Sequence, residues 1–259
     1  MRRKIFINFW VVIGIIIFFV SSSISGELKG AKAIFDSGEG PAKSPTIKKW
    51  VGSGTPVEKT KPSKMIAQKE PYVGISYKIA LLQENGEFKI VPKSRIFKSG
   101  EKVKLLIRTN KPGYMTILNV GPTGNTNVLF NEYVEAYTIH EIPKTSAFKF
   151  VPPPGTEKLI IMLSNKPNPV AQTYASVAPE IISSMEYGRG AGAKGAKDIV
   201  VDEMGSSYSI ISSNNWKPLK MGAKDMIVES TEGSHYGVIP VSSIPEDGIL
   251  TVIIKLTHR

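Results

Sequence analysis

Short runs of alternating apolar and polar residues constrain this chain more than any other feature. Between Lys102 and Thr109, Val103, Leu105 and Ile107 fall on one side of an extended backbone and Lys102, Lys104 and Arg108 on the other, as in a half-buried strand. Similar runs recur at Tyr72 to Leu82, Phe88 to Val91, Tyr114 to Val120, Asn127 to Phe130, Ala147 to Val151 and Glu157 to Leu163, each bounded by Gly, Pro or Asn. Asn85-Gly86 between two runs predicts a type I′ hairpin with both central residues at positive φ, and Gly121-Pro122-Thr123-Gly124-Asn125 predicts another turn. No long amphipathic helix competes with these strands. The expected fold is all-β: an antiparallel β-sandwich or open barrel, followed by a repeated β-hairpin region with a short linking helix.

The repeat is read from Gly195-Ala196-Lys197-Asp198-Ile199-Val200-Val201-Asp202, which returns as Gly222-Ala223-Lys224-Asp225-Met226-Ile227-Val228-Glu229. A small-residue turn and a Tyr-led strand, at Tyr208 or Tyr236, follow each copy, so each unit reads as a hairpin. Both are expected in one sheet closed by Leu250 to Leu256. Pro179 to Tyr187 predicts a short helix with Pro179 in its first turn and Ile181, Ile182 and Met185 on one side.

The amino terminus has the parts of a secretory signal: Arg2, Arg3 and Lys4, an apolar run from Ile5 to Val20, then small residues with Ser23 and Ser25 placed for cleavage before Gly26. The competing reading is an uncleaved anchor, but sixteen helical residues span about 24 Å against a hydrocarbon layer of roughly 30 Å. Residues 26–70, rich in Lys, Pro, Gly, Ser and Thr, read as a disordered tether, with Trp50 among its few large apolar side chains. The division expected is a leader at 1–25, a tether at 26–70, a β-sandwich-like domain at 71–169, and a linker helix with hairpins at 170–259, packed on the first domain or separate from it.

A formal charge of +11 suggests nucleic acid until it is divided along the chain. The leader contributes +3 and the tether +4, leaving only +4 on the 189 residues from Pro71 onward. A basic average made by the terminal segments is not a phosphate-binding face, and no nucleic-acid partner is expected. The absence of Cys excludes disulfides, thiolate metal sites, cysteine nucleophiles and lipoprotein anchoring.

Ile96-Phe97-Lys98-Ser99-Gly100-Glu101-Lys102-Val103, Gly113-Tyr114, Asn119-Val120-Gly121-Pro122-Thr123-Gly124, Leu129-Phe130-Asn131, Ile142-Pro143 and Pro153-Pro154-Gly155-Thr156-Glu157-Lys158-Leu159 together resemble the bacterial family called domain of unknown function 4384. The likeness covers roughly Tyr72 to Asn165. It implies a β-rich module of exported or multidomain bacterial proteins, sometimes beside peptidase or kinase domains, with no catalytic set to carry over.

Several patterns imitate catalytic motifs without their context. Gly190-Ala191-Gly192-Ala193-Lys194-Gly195 satisfies G-x-G-x-x-G, yet a strand follows it where a nucleotide fold needs a helix. Ser146 and Lys149 have S-x-x-K spacing, but in a strand-like run residues three apart point to opposite sides. His140, His235 and His258 lack metal-ligand spacing and read as edge or surface imidazoles. Asp202, Glu203, Glu229 and Glu232 read as solvated turn charges in preference to calcium ligands.

No catalytic residue, cofactor or metal site is therefore assigned. The chain reads as an exported, non-catalytic cell-envelope module of the periplasm or cell surface that recognises a protein or glycan, and it meets the membrane only through the leader if that is uncleaved. The binding candidates are Asn125 in the 121–127 loop, Asn215 and Trp216, where an aromatic flanked by amides suits a sugar, and His235 and Tyr236 in an expected turn. Two other classes stay open: a hydrolase acting on envelope polymer, and a self-associating structural subunit.

Overall fold

The computed structural model describes residues 30–41, 69–167, 171–187, 199–202, 205–220, 225–231 and 233–259. In chain order these form α1 (Ala31–Ser37), β1 (Glu39–Pro41), β2 (Lys69–Leu82), β3 (Phe88–Val91), β4 (Lys102–Thr109) and β5 (Gly113–Val120). There follow β6 (Thr126–Val134), β7 (His140–Ile142), β8 (Phe148–Lys149), β9 (Gly155–Ser164) and α2 (Ala171–Tyr187). The chain ends with β10 (Val200–Val201), β11 (Ser207–Ser212), β12 (Ile227–Thr231), β13 (Ser234–Pro240) and β14 (Gly248–His258).

Among the described residues the strands make two antiparallel sheets. The first runs β12-β13-β2-β4-β7, with β1 and β3 also paired to β2 and β8 to β4; the second runs β10-β11-β14-β9-β5-β6. Their inner faces meet in one core that takes Ile75, Tyr77 and Ile79 from β2, Leu105 and Ile107 from β4, Ile117 from β5, Ile161 from β9 and Val252 from β14. The fold is an open sandwich, as the alternating runs predict.

The sheets do not respect the expected boundary at residue 170. Strand β14 lies between β9 and β11, and β13 pairs with β2 from His235↔Tyr77 to Pro240↔Tyr72. The region after residue 170 therefore completes both sheets of the region before it, and the two share a core. Each segment read as a hairpin is one, but β10–β11 extends the second sheet and β12–β13 the first, so they do not share a sheet.

Helices cover the outer faces. Helix α2 begins at Ala171, eight residues earlier than predicted, so Pro179 lies inside it. Its buried stripe of Ala178, Ile181, Ile182 and Met185 packs on Leu118, Val120, Ile160, Met162 and Ile253 of the second sheet. On the first sheet, Ala31, Ile34 and Phe35 of α1 bury themselves against Tyr72, Tyr236 and Val238. The tether expectation therefore fails at residues 30–41, where tertiary contacts order a helix too short to persist alone. The leader, residues 26–29 and 42–68, Trp50 and the 190–195 glycine motif lie outside the described residues.

The β2–β3 connection departs from the predicted turn. Leu82 pairs with Phe88, leaving a five-residue loop in which Gly86 alone has positive φ, at 84°. Asn85 instead accepts the Glu87 backbone N–H at 3.0 Å through its side chain. The 121–125 turn forms as expected, with Gly124 at φ 87° and its N–H bonded to the Gly121 carbonyl.

Candidate functional site

The strand ends place a groove at one end of the sandwich. Its polar half, about 480 Å³, is lined by Ser164 at the end of β9 and by Asn165 and Lys166 after it, by Ser213 and Asn214 after β11, and by Glu246 and Asp247 before β14. An apolar half of about 330 Å³ adjoins it, sharing Ser164, Asn165 and Gly248 and adding Val73, Leu163, Ile244 and Leu250. Hydrogen bonds fix the polar wall. Asp247 accepts from the Ser212 hydroxyl at 2.6 Å and the Asn214 amide at 3.1 Å, while the Ser213 N–H donates to the Asp247 carbonyl. Lys166 pairs with Glu246 at 2.6 Å across the mouth and holds that carboxyl below its ordinary range.

The residues named from sequence are scattered. Asn125 is exposed in its turn and Asn215 is exposed beside the groove, its side chain accepting the Lys217 N–H at 3.1 Å. Trp216 is buried among the side chains beneath α2, with φ at 59°, and offers no stacking surface. His235 and Tyr236 occupy no turn: both are buried in β13, His235 facing the core and Tyr236 facing α1. His258 is also buried, against Phe150, and only His140 keeps partial exposure. Ser146 precedes a strand ending at Lys149, the geometry that separates an S-x-x-K pair. The groove's own residues were missed, because loop ends brought together by the sheets leave no spacing signal.

The buried ionisable groups converge elsewhere. Lys93, in the turn after β3, is 3% exposed and pairs with the carboxylate of Asp202, which opens the β10–β11 turn. Its ammonium also donates to Ser206 Oγ at 2.5 Å and to the Tyr77 hydroxyl at 3.3 Å, and Tyr77 and Ser206 share a hydrogen bond of 2.7 Å. The other oxygen of Asp202 accepts the Ser206 N–H at 2.8 Å. Burial pushes the Tyr77 phenol upward, so it stays a donor. Tyr208 enters from the second sheet, its ring so close to Gly237 that a Cβ there would sit 2.5 Å from it, and burial raises its phenol as well. His235 stacks on Tyr77 at 4.7 Å, with Nδ1 2.8 Å from the Ser230 hydroxyl.

This arrangement surrounds a serine hydroxyl with a lysine, as a Ser/Lys hydrolase would. Its chemistry points the other way. A general base must accept the serine proton, whereas Lys93 donates to Ser206 and is ion-paired with Asp202. Ser206 is 1% exposed and so has no face for a substrate. Asp202 is not the solvated turn charge expected from sequence; it is the buried counter-ion of Lys93. Nothing in the sequence marks this meeting, since Lys93 and Asp202 stand 109 positions apart.

Residues 96–167 match the family model described as Domain of unknown function (DUF4384). The segment holds the residues between Ile96 and Leu159 that carry the resemblance, and it supplies β4 to β9. Its Gly113 sits where a Cβ would meet the Ser164 carbonyl at 2.8 Å, and Gly155 where one would meet Pro122 at 2.5 Å, so both glycines are close-approach positions of this sandwich. No curated protein and no solved structure matches the chain.

Two outcomes follow from the buried cluster. Lys93→Met or Asp202→Leu alone strands a buried charge and lowers unfolding free energy by about 3–5 kcal/mol, whereas the double variant recovers most of that loss; urea titrations of the three variants and the parent test the cycle. The second outcome concerns pH. Burial and the nearby Lys93 ammonium lower His235 to about 4 from its ordinary 6.5, with Asp202 opposing. The unfolded chain therefore binds more protons between those values, and stability falls as pH drops through that window. Urea midpoints should show a loss of about 2 kcal/mol between neutral pH and about pH 5, absent in His235→Gln.

Proposed function

We propose that this protein is an exported, non-catalytic cell-envelope module that holds a partner in the groove at the end of its sandwich. The groove itself carries the reading: hydroxyl, amide and carboxylate groups stand beside an apolar half, mounted on the ends of paired strands. That mixture suits a protein segment, which brings peptide groups and apolar side chains together. A glycan partner is less well served, because no aromatic side chain among the described residues lines either half and Trp216 is packed beneath α2. Export rests on the leader read at residues 1–25.

Self-association has an available edge in β6, but it is blunted. The register shifts between Ile117 and Leu118, which leaves Leu129 as an extra residue in β6, and Glu132 and Lys144 form an ion pair beside the strand. The groove is the better candidate for contact.

Placing a photo-crosslinking side chain at Asn165 and irradiating intact cells tests the reading. A discrete protein adduct is expected at Asn165 and not at a control position on Ser183 of α2, and Lys166→Glu should reduce its yield. Adducts equal at both positions contradict the groove assignment, and turnover of an envelope polymer by the purified protein contradicts the non-catalytic reading.

A further inference from the structure

The two outer faces of the sandwich are covered unequally. Helix α2 lies on the second sheet with a stripe of four buried residues, whereas the seven-residue α1 covers the β12, β13 and β2 side of the first. Next to α1, no other described residue covers the face. In register, β2 presents Lys78 outward, β4 presents Lys104, Leu106 and Arg108, β3 presents Phe88 and Ile90, and the chain entering β7 adds Ile139. Phe88 is 42% exposed and Ile139 62%. A groove of about 480 Å³ runs here, walled on one side by Lys32 and Asp36 of α1 and floored by Ile90, Leu106 and Ile139.

Cations outnumber acids around this floor. Lys32, Lys78, Lys104 and Arg108 face three acids, and all three are already engaged: Asp36 pairs with Arg108 at 2.9 Å, Glu141 pairs with Lys104 at 2.8 Å, and the Glu229 carboxylate accepts the Lys32 backbone N–H at 3.0 Å. Lys32 and Lys78 make no ion pair among the described residues. An apolar strip with an excess of cations attracts an occupant that is apolar on one face and acidic on the flanks.

We infer that this face docks an acidic amphipathic helix of a partner protein, laid beside α1 so as to complete the helical layer. The two covered parts of the outer faces set the pattern, since each takes a helix with an apolar stripe. The alternative of an anionic membrane surface fits the shape poorly. Helix α1 stands about 10 Å above the sheet, so a flat surface meets α1 before it reaches the floor, while a single helix enters alongside. Such docking uses Leu-type anchors at i, i+3, i+4 and i+7 and flanking carboxylates toward Lys32 and Lys78. This surface is separate from the end groove, so failure of either assignment leaves the other standing.

The test uses the full chain and a fluorescein-labelled helical peptide with Leu at those anchor positions and Glu elsewhere, against a counterpart with Lys for Glu. Fluorescence anisotropy should show the acidic peptide binding at least about tenfold more tightly than the basic one, with affinity falling as salt rises. Lys78→Glu, Ile139→Asp and, on the other wall, Lys32→Glu should each weaken it about tenfold or more without changing the circular dichroism spectrum. The inference is overturned if neither peptide binds, if both bind alike, or if the three correctly folded variants bind as the parent does. Co-flotation with phosphatidylglycerol vesicles that the acidic peptide does not compete away overturns it in favour of a lipid surface.

Discussion

A lysine and an aspartate paired inside the sandwich set the terms for the rest of the structure. Lys93 leaves the first sheet and Asp202 heads a turn of the second, so the pair joins the two layers through an interior made largely of apolar and aromatic side-chain packing. Removing either charge strands the other in a medium that solvates it poorly, which makes the pair a strong constraint on register even where it adds little net stability. The hydroxyls of Tyr77 and Ser206 and the Ser206 N–H bond to the two charges and to each other, so these groups form one buried network. That network ties the two sheets together at the groups that resemble a catalytic centre, and the proposed contact surfaces lie elsewhere.

Those surfaces are what the covering helices leave. The second sheet is buried on both faces at β9 and β14, with Ile161 and Val252 toward the core and Ile160 and Ile253 toward α2. Among the described residues the first sheet keeps its cation-rich strip open beyond α1, and the sandwich end keeps its mixed groove. Docking of α1 itself depends on tertiary contacts: Phe35 lies edge-on to Tyr236 with the Arg108 guanidinium 5.0 Å from its ring, and the Glu229 carboxylate accepts the Lys32 N–H at the helix start.

What sequence reveals here follows burial. Strands β3 and β4 were read to the residue because one face of β4 meets solvent and the alternation is visible. Strand β6 was read only to Phe130, since Asn131, Glu132 and Tyr133 form an exposed edge with no apolar period. The Tyr-led strand expected at Tyr236 is present as β13, but its first residues read as a turn: Ser234-His235 has turn composition, and its place in the strand comes from β12 on one side and β2 on the other. Helix α1 was hidden in a Lys/Gly/Ser-rich stretch because its three buried side chains act only against a sheet that forms from distant segments. The Lys93–Asp202 contact and the end groove were invisible for the same reason, as each joins residues that only the finished topology brings together.

Native-state hydrogen exchange at the Ser206 amide reads this account most directly, because that N–H is bonded to the Asp202 carboxylate beside Lys93. A cluster that locks the two sheets requires this proton to exchange only through global unfolding, with the same free energy and the same denaturant dependence as unfolding itself. Exchange through a low-energy local opening would contradict it, showing a turn that admits solvent, and with it substrate, to the serine and the lysine.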